Sequence, residues 1–165
     1  MAVNSSEKTK FISTHQEGAV YLDPVKNHHL FISTRSYQIN DVICDFTARG
    51  IFKEPNRFTV QTGEYKHILL SPEHLQYINH SCSPNAFFDV DNFKLIALRQ
   101  IDEGDEITFF YPSSEWEMSE AFKCNCGETN CLGSISGAVN IPKTKINQYR
   151  LTKYIQSKLN ADHSG

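Results

Sequence analysis

Tyr77-Ile-Asn-His-Ser-Cys-Ser-Pro-Asn85 and Gly104-Asp-Glu-Ile-Thr-Phe-Phe-Tyr111 decide how this chain is read. The second stretch opens on the turn Asp102-Glu103-Gly104 and continues as a strand from Glu106 to Tyr111, rich in β-branched and aromatic residues. The first sets Cys82 two positions from His80 and closes on Pro84-Asn85. Its thiol gains meaning from three others further along.

Five cysteines are present, and three crowd into Cys124, Cys126 and Cys131. In a secreted chain this suggests disulfides; in a reducing compartment it reads as a metal site. Cys124 and Cys126 lie two apart, so extended backbone points both thiols the same way. Gly127 can turn the chain back towards Cys131. Three thiolates so arranged can hold three corners of a zinc tetrahedron, with Cys82 the obvious fourth. A four-sulfur site is closed to water, so its metal would be structural. Its role would be to clamp the C-terminal segment onto 79–85. Free or oxidised cysteines are the alternative. Cys44, in an apolar strand, reads as a small buried hydrophobe.

Around these motifs the chain alternates short strands and turns. Strands are expected at 19–22, 30–33, 42–46, 58–61, 67–70, 86–90 and 93–98, with hairpins at Thr62-Gly63-Glu64 and Asp91-Asn92. Ser71-Pro72-Glu73 resembles a helix start. A C-terminal helix is expected over 144–159, with Leu151, Tyr154, Ile155 and Leu159 as one apolar stripe docked on the body. Residues 1–10 read as a loose terminus. The fold class is mostly β.

At 165 residues the chain is one domain's worth of sequence, able to bury about 70% of its extended surface. With 39% hydrophobic and 21% charged residues it is neither disordered nor collagen-like. No apolar run reaches the roughly 20 residues of a membrane span, and the first ten residues lack a secretion signal's apolar core. These features suggest a soluble intracellular protein, cytoplasmic or nuclear, with no membrane partner. The net charge of -3 gives no footprint for nucleic acid, so direct nucleic-acid binding is not expected. Residues 140–165 carry Lys143, Lys145, Arg150, Lys153 and Lys158 against Asp162 alone, leaving an acidic body that suits a basic peptide partner.

Taken together, Ile78 to Asn85, Gly104 to Tyr111, and Cys124-x-Cys126-x4-Cys131-x-Gly133 resemble the SET-domain family of lysine methyltransferases, with its zinc-binding post-SET extension. The similarity runs from about Val20 to Ala138. Phe109-Phe-Tyr-Pro-Ser-Ser-Glu-Trp-Glu-Met118 looks most like small stand-alone members found in microbes and fungi. The resemblance implies a loose terminus at 1–10, a SET domain at 11–118, a post-SET zinc segment at 119–138 and a tail with a helix at 139–165. It implies a SET fold in which 79–85 and the strand ending at Tyr111 meet in a knot-like crossing. S-adenosylmethionine would lie on one face of that crossing, and the target lysine would enter from the other.

The implied activity is S-adenosylmethionine-dependent N-methylation of a lysine-bearing protein or peptide. A small-molecule amine or free amino acid is an alternative substrate, and an inactive zinc-stabilised binding module is an alternative role. Methyl transfer is an in-line displacement, so alignment supplies much of the rate. Lysine, with a reference pKa of about 10.4, must also lose its proton, which an apolar channel beside a sulfonium favours.

By the same resemblance, Tyr111 orients amine and methyl through its hydroxyl, whether or not it also acts as a base. Asn79 holds the methionyl amino group, and the His80 backbone reads the adenine edge. Phe122 and Leu132 either pack on the adenine or belong to the core. Phe109, where the family carries Phe or Tyr, leaves room for further methyl groups and implies di- or trimethylation. The metal ligands are Cys82, Cys124, Cys126 and Cys131. His28, His29 and Leu30 occupy the family's Gly-x-Gly-Leu-Phe turn near the cofactor's methionyl end. Here that turn reads Asn27-His-His-Leu-Phe31, with both glycines replaced, although Asn27 tolerates the left-handed region. The 46–77 segment is short for the wall of the substrate groove. The oligomeric state is not legible.

Overall fold

The structure, a computed structural model, describes residues 8–162. Thirteen short strands run in chain order: β1 Lys10–Thr14, β2 Gly18–Asp23, β3 His28–Ser33, β4 Val42–Asp45, β5 Thr47–Phe52, β6 Thr59–Gly63, β7 Lys66–Ser71, β8 Asn79–His80, β9 Ala86–Asp89, β10 Lys94–Ala97, β11 Thr108–Phe109, β12 Phe122–Lys123 and β13 Ser134–Ile135. Among the described residues, helix is confined to short 3-10 segments and the C-terminal α1 Lys143–Ile146 and α2 Lys153–Ala161. The expected mostly β fold with a C-terminal helix is what forms.

The strands assemble into small sheets. One has the order β1-β2-β3, another β5-β7-β6, and β12 pairs with β13. The central sheet, β4-β10-β9-β11-β8, changes direction within itself: β4, β10 and β9 are antiparallel, whereas β11 runs parallel to both β9 and β8. Parallel neighbours cannot be joined by a tight turn, so 79–85 and 104–111 arrive there by separate routes. Beneath lies one apolar core containing Val20, Phe31, Phe46, Leu75, Phe88, Leu95, Ile101 and Ile107. Phe88 anchors it edge-on, its ring centroid 5.5 Å from Phe46 and 4.8 Å from Phe109.

Turn chemistry matches the residues present. In the β2–β3 hairpin, Asp23 Oδ1 accepts from the backbone N–H groups of Val25 and Lys26, and Asn27 takes φ of 53°. Between β9 and β10, Asp89 Oδ1 accepts from Asp91 and Asn92, but the left-handed residue is Phe93, at φ 55°.

Two elements depart from expectation. The strand over 106–111 shrinks to β11 because side chains replace a sheet ladder on both sides. Asn85 Oδ1 accepts from the Thr108 N–H at 2.9 Å, and His80 Nδ1 accepts from the Tyr111 N–H at 3.1 Å. The single helix over 144–159 is instead two. The Thr152 N–H is taken by the Ser113 carbonyl of the body at 2.9 Å, and its hydroxyl caps α2 by accepting from Ile155 N–H. The apolar stripe still docks: Leu151, Ile155 and Leu159 are buried beside Phe110 and Tyr154 packs against them partly buried, with Ile146 of α1 added, and the Phe110 ring stacks on Tyr149 at 3.6 Å. β1 begins at Lys10, and the rest of the expected loose terminus, residues 1–7, lies outside the described residues.

Past β13 the chain is laced to the segment that follows Tyr111. Met118 N–H donates to Ser136 O, Ala138 N–H to Glu115 O and Val139 N–H to Trp116 O, at 2.9, 2.9 and 3.1 Å. This close approach requires Gly137. It sits at φ 125°, and a Cβ there would lie 2.4 Å from the Trp116 carbonyl oxygen.

Candidate active site

The two stretches that opened the sequence meet side by side. β8 pairs with β11 in parallel, Asn79 opposite Thr108 and His80 opposite Phe109, and Ser81 N–H donates to Phe109 O at 3.0 Å. Asn85 then bridges both strands, accepting from Thr108 N–H and donating to Glu106 O at 2.8 Å. The crossing is thus held by amide side chains whose buried polar groups are satisfied on either side.

Tyr111 leaves this crossing at the start of a 3-10 turn. Its hydroxyl donates to the Ile78 carbonyl at 3.3 Å, and its ring lies 4.6 Å from Phe109, 5.2 Å from His80 and 5.8 Å from Phe122. Burial pushes the phenol up to about 12, outweighing the His80 contact that draws it down. At neutral pH Tyr111 is therefore a hydrogen-bonding group rather than an ionised base. Tyr111, Phe109 and Phe122 line a cavity of about 270 Å³, closed by Val60, Leu70, Leu75, Ile78 and Met118.

On the β3 side, the Asn79 amide donates to His29 O at 2.6 Å and to Glu106 Oε1 at 3.0 Å. With both donor positions directed inward, its Oδ1 accepts no hydrogen bond from a described residue. This corner therefore gathers an amide oxygen, a carboxylate and a main-chain carbonyl, the acceptor set that an amino group requires. The His29 ring lies 4.4 Å from the Tyr77 ring. This acceptor chemistry fits the methionyl amino group expected here, despite the missing glycines. His28 and Leu30 lie on β3 opposite Asp23 and Tyr21, half-buried; only His29 contacts Asn79.

His80 is structural through its side chain. Its Nδ1 takes the Tyr111 N–H, its Nε2 lies 3.3 Å from Cys82 Sγ, and burial lowers it to about 4, so the ring is neutral. The thiols of Cys82, Cys124, Cys126 and Cys131 all lie within 4.8 Å of one another, compatible with a four-sulfur zinc site. Cys82 is locked in place: its carbonyl accepts from Tyr149 OH at 2.7 Å and Asn130 Nδ2 at 2.8 Å, and its sulfur faces the Leu132 N–H at 3.4 Å. Leu132 thus serves the cysteine cluster, while Phe122 reaches the cavity. Cys44 stands apart, half-buried against the core.

Three groups at this site were not singled out from the sequence: the Ile78 carbonyl, Glu106 and Glu115. The glutamates fall inside quoted motifs, but their composition gives no sign of which way they face. Glu115 lines the cavity, and its Oε2 accepts from Gln61 N–H at 3.0 Å and Ser114 OH at 2.7 Å.

Known proteins resemble this chain in sequence and in fold. The SET-domain family model matches residues 4–112. The chain is 42% identical over 103 residues to "Methyltransferase flvH" of Aspergillus flavus, spanning 61% of this chain and 57% of that protein. It is 33% identical over 106 residues to the H3 lysine-36 specific histone-lysine N-methyltransferase of Saccharomyces cerevisiae, spanning 14% of that longer protein. Its fold resembles the crystal structure of KRYPTONITE in complex with mCHG DNA and SAH, with a TM-score of 0.53 at 19% identity over 70% of this chain and 28% of that one. No helix among the described residues is long and apolar enough to cross a membrane. With the family model spanning most of its length, the chain belongs to the SET-domain family of methyltransferases.

Proposed function

We propose that this chain is an S-adenosylmethionine-dependent protein-lysine N-methyltransferase capable of di- or trimethylation, working inside the cell on a lysine-bearing protein or peptide. One observation carries the reading. The Asn79-His80 strand lies against the strand leading to Tyr111, so an amino-group corner and a hydroxyl-lined apolar cavity adjoin the same crossing. Its relatives support the substrate class: the yeast relative is named for histone lysine, and a second KRYPTONITE structure, with a TM-score of 0.50, was crystallised with an H3(1–15) peptide and SAH.

S-adenosylmethionine, when bound, supplies the methyl group. Asn79, with His29 and Glu106 around it, would hold the methionyl amino end, and the His80 backbone and Phe122 would meet the adenine. The chain's own work is positioning. Tyr111 orients the amine through its hydroxyl, and the aliphatic walls at Val60, Leu70 and Ile78 strip water from the target ammonium, which lowers its pKa. The four cysteines would hold a structural zinc that fixes 119–138 beside this site.

The test is calorimetric titration with S-adenosylmethionine followed by labelling. Binding is expected for the native chain and lost in Asn79→Ala; no binding to either would leave an inert module. Radiolabelled methyl transfer into a cell extract, separated into protein and small-molecule fractions, is expected to label protein. The β5-β7-β6 wall covers only residues 47–71, so contacts along a peptide are few, and label confined to the small-molecule fraction would reassign the substrate to a free amine.

Product order follows from Phe109, whose ring is packed between Phe88 and Tyr111 at 4.8 and 4.6 Å. A hydroxyl added there can hold a water in the space needed by further methyl groups. Phe109→Tyr is expected to shift the product to monomethyl by mass spectrometry. A native product already stalled at monomethyl would contradict the reading.

A further inference from the structure

Glu115 is a buried carboxylate in the wall of a cavity of mixed lining, whose other charged residues are Arg57 and Glu120, and the roles assigned above do not use it. Its residue is only 9% exposed. Oε2 is fully engaged by Gln61 N–H and Ser114 OH, and the Gln61 side chain is itself fixed, accepting from Trp116 N–H at 2.9 Å and donating to Gly63 O at 3.0 Å. Oε1 accepts no hydrogen bond from a described residue. It is also not sealed: the buried side-chain polar atoms without a partner among the described residues are the Tyr37 hydroxyl and His67 Nδ1. Glu115 lines the cavity shared by Tyr111, Phe109 and Phe122, the space from which a partner for Oε1 can enter.

No basic side chain pairs with Glu115 among the described residues; Arg57, which lines the same cavity, lays its guanidinium over the Phe58 ring instead, 5.0 Å from its centroid. A carboxylate held this rigidly, almost wholly buried and with no basic side chain paired to it, is costly to ionise. Consistent with this, burial pushes it up to about 7, despite the two hydrogen bonds drawing it down. A cation entering the cavity reverses that cost, because attraction across a few ångströms is strong where water is excluded.

We infer that Glu115 is a specificity-determining residue, a preset counter-charge that admits an amine substrate to the cavity as its ammonium and discriminates against uncharged side chains of the same shape. This rests on the transferase reading for its biological use, but the recognition can be measured without any methyl transfer. The role is separate from that of Tyr111. Glu115 favours the ammonium that enters, opposing the loss of its proton that the apolar walls favour, whereas Tyr111 aligns the amine once that proton has left.

The probe is n-butylammonium, the charged end of a lysine side chain, compared with 1-butanol as its uncharged isostere. Both are titrated by NMR into the full chain and into Glu115→Gln, which keeps an oxygen for Gln61 and Ser114. Loss of a charge-assisted hydrogen bond should weaken n-butylammonium by about tenfold or more in the variant and leave 1-butanol unchanged. Equal n-butylammonium affinity in the two proteins, or none in the native chain, overturns the proposal. If the variant does not fold, the native chain carrying 13C-labelled glutamate carboxyls decides. One buried carboxyl resonance should move towards the ionised position on adding n-butylammonium, and its failure to move overturns the proposal. Amine binding without methyl transfer to any substrate would instead remove the transferase reading and leave the recognition role of Glu115 standing.

Discussion

Tyr111→Phe is expected to lower methyl transfer by about 100-fold or more, the scale on which misalignment of reacting groups acts. The substitution removes one oxygen and little else. The ring keeps its neighbours Phe109, His80 and Phe122, and the backbone N–H keeps its bond to His80 Nδ1. The hydroxyl's own bond, to the Ile78 carbonyl at 3.3 Å, is long, and its loss costs about 1 kcal/mol of stability at most. Folding, metal content and cofactor affinity should therefore stay near native while transfer collapses. Calorimetry and metal analysis on the same sample separate these outcomes. Transfer within a few-fold of native would mean that the cavity walls alone align the amine, and Tyr111 would lose its assigned role. Because the phenol is held un-ionised by burial, the loss is expected at every pH at which the native chain works, rather than as a displaced pH profile.

How much of this was legible beforehand varies with the kind of interaction. Strands such as β2, β3, β9 and β10 could be read because each pairs with a near neighbour and carries its own apolar residues. β5 could not: it is mostly exposed and belongs to its sheet only through pairing with β7. The broken C-terminal helix shows the same limit. Its apolar stripe of Leu151, Tyr154, Ile155 and Leu159 packs on the body, Tyr154 only partly buried, but the break is made by Ser113, 39 residues away, taking the Thr152 N–H. At the site, Asn79, Tyr111 and the cysteines stood out because their types and spacings are rare in combination. Glu115 did not, because a glutamate in Ser113-Ser-Glu-Trp116 reads as surface until Gln61 is known to cover it. His28, His29 and Leu30 are grouped by the family's cofactor turn, and that resemblance gives no sign that the His29 carbonyl is the group hydrogen-bonded to Asn79.

The largest expected effect on stability comes from the cysteines. Cys82 belongs to the crossing, while Cys124, Cys126 and Cys131 belong to the segment that carries Phe122 and leads to Gly137, so a metal held by all four would join these two parts of the chain, which also meet where Phe122 packs near Tyr111 and His80. The cluster's own packing is thin, with Ile135 the one buried aliphatic side chain beside Cys82 and Cys124. A structural zinc contributes roughly 10 kcal/mol or more of binding free energy to such small sites, far above what this packing offers alone. One equivalent of zinc is expected by elemental analysis. Chelation, or Cys124→Ser, should release it, lower the melting temperature by well over 10 °C, and expose 119–138 to proteolysis. Cofactor affinity should fall with it, because Phe122 and the Leu132 N–H at Cys82 are placed by this segment. Cys44→Ser is the matched control: that thiol lies outside the cluster and should leave metal content unchanged. A chain purified without zinc that melts as high as the zinc-loaded one would show that the four thiols converge for packing alone, and the clamp would have to be sought in Tyr149 and Asn130, which grip the Cys82 carbonyl from the C-terminal side.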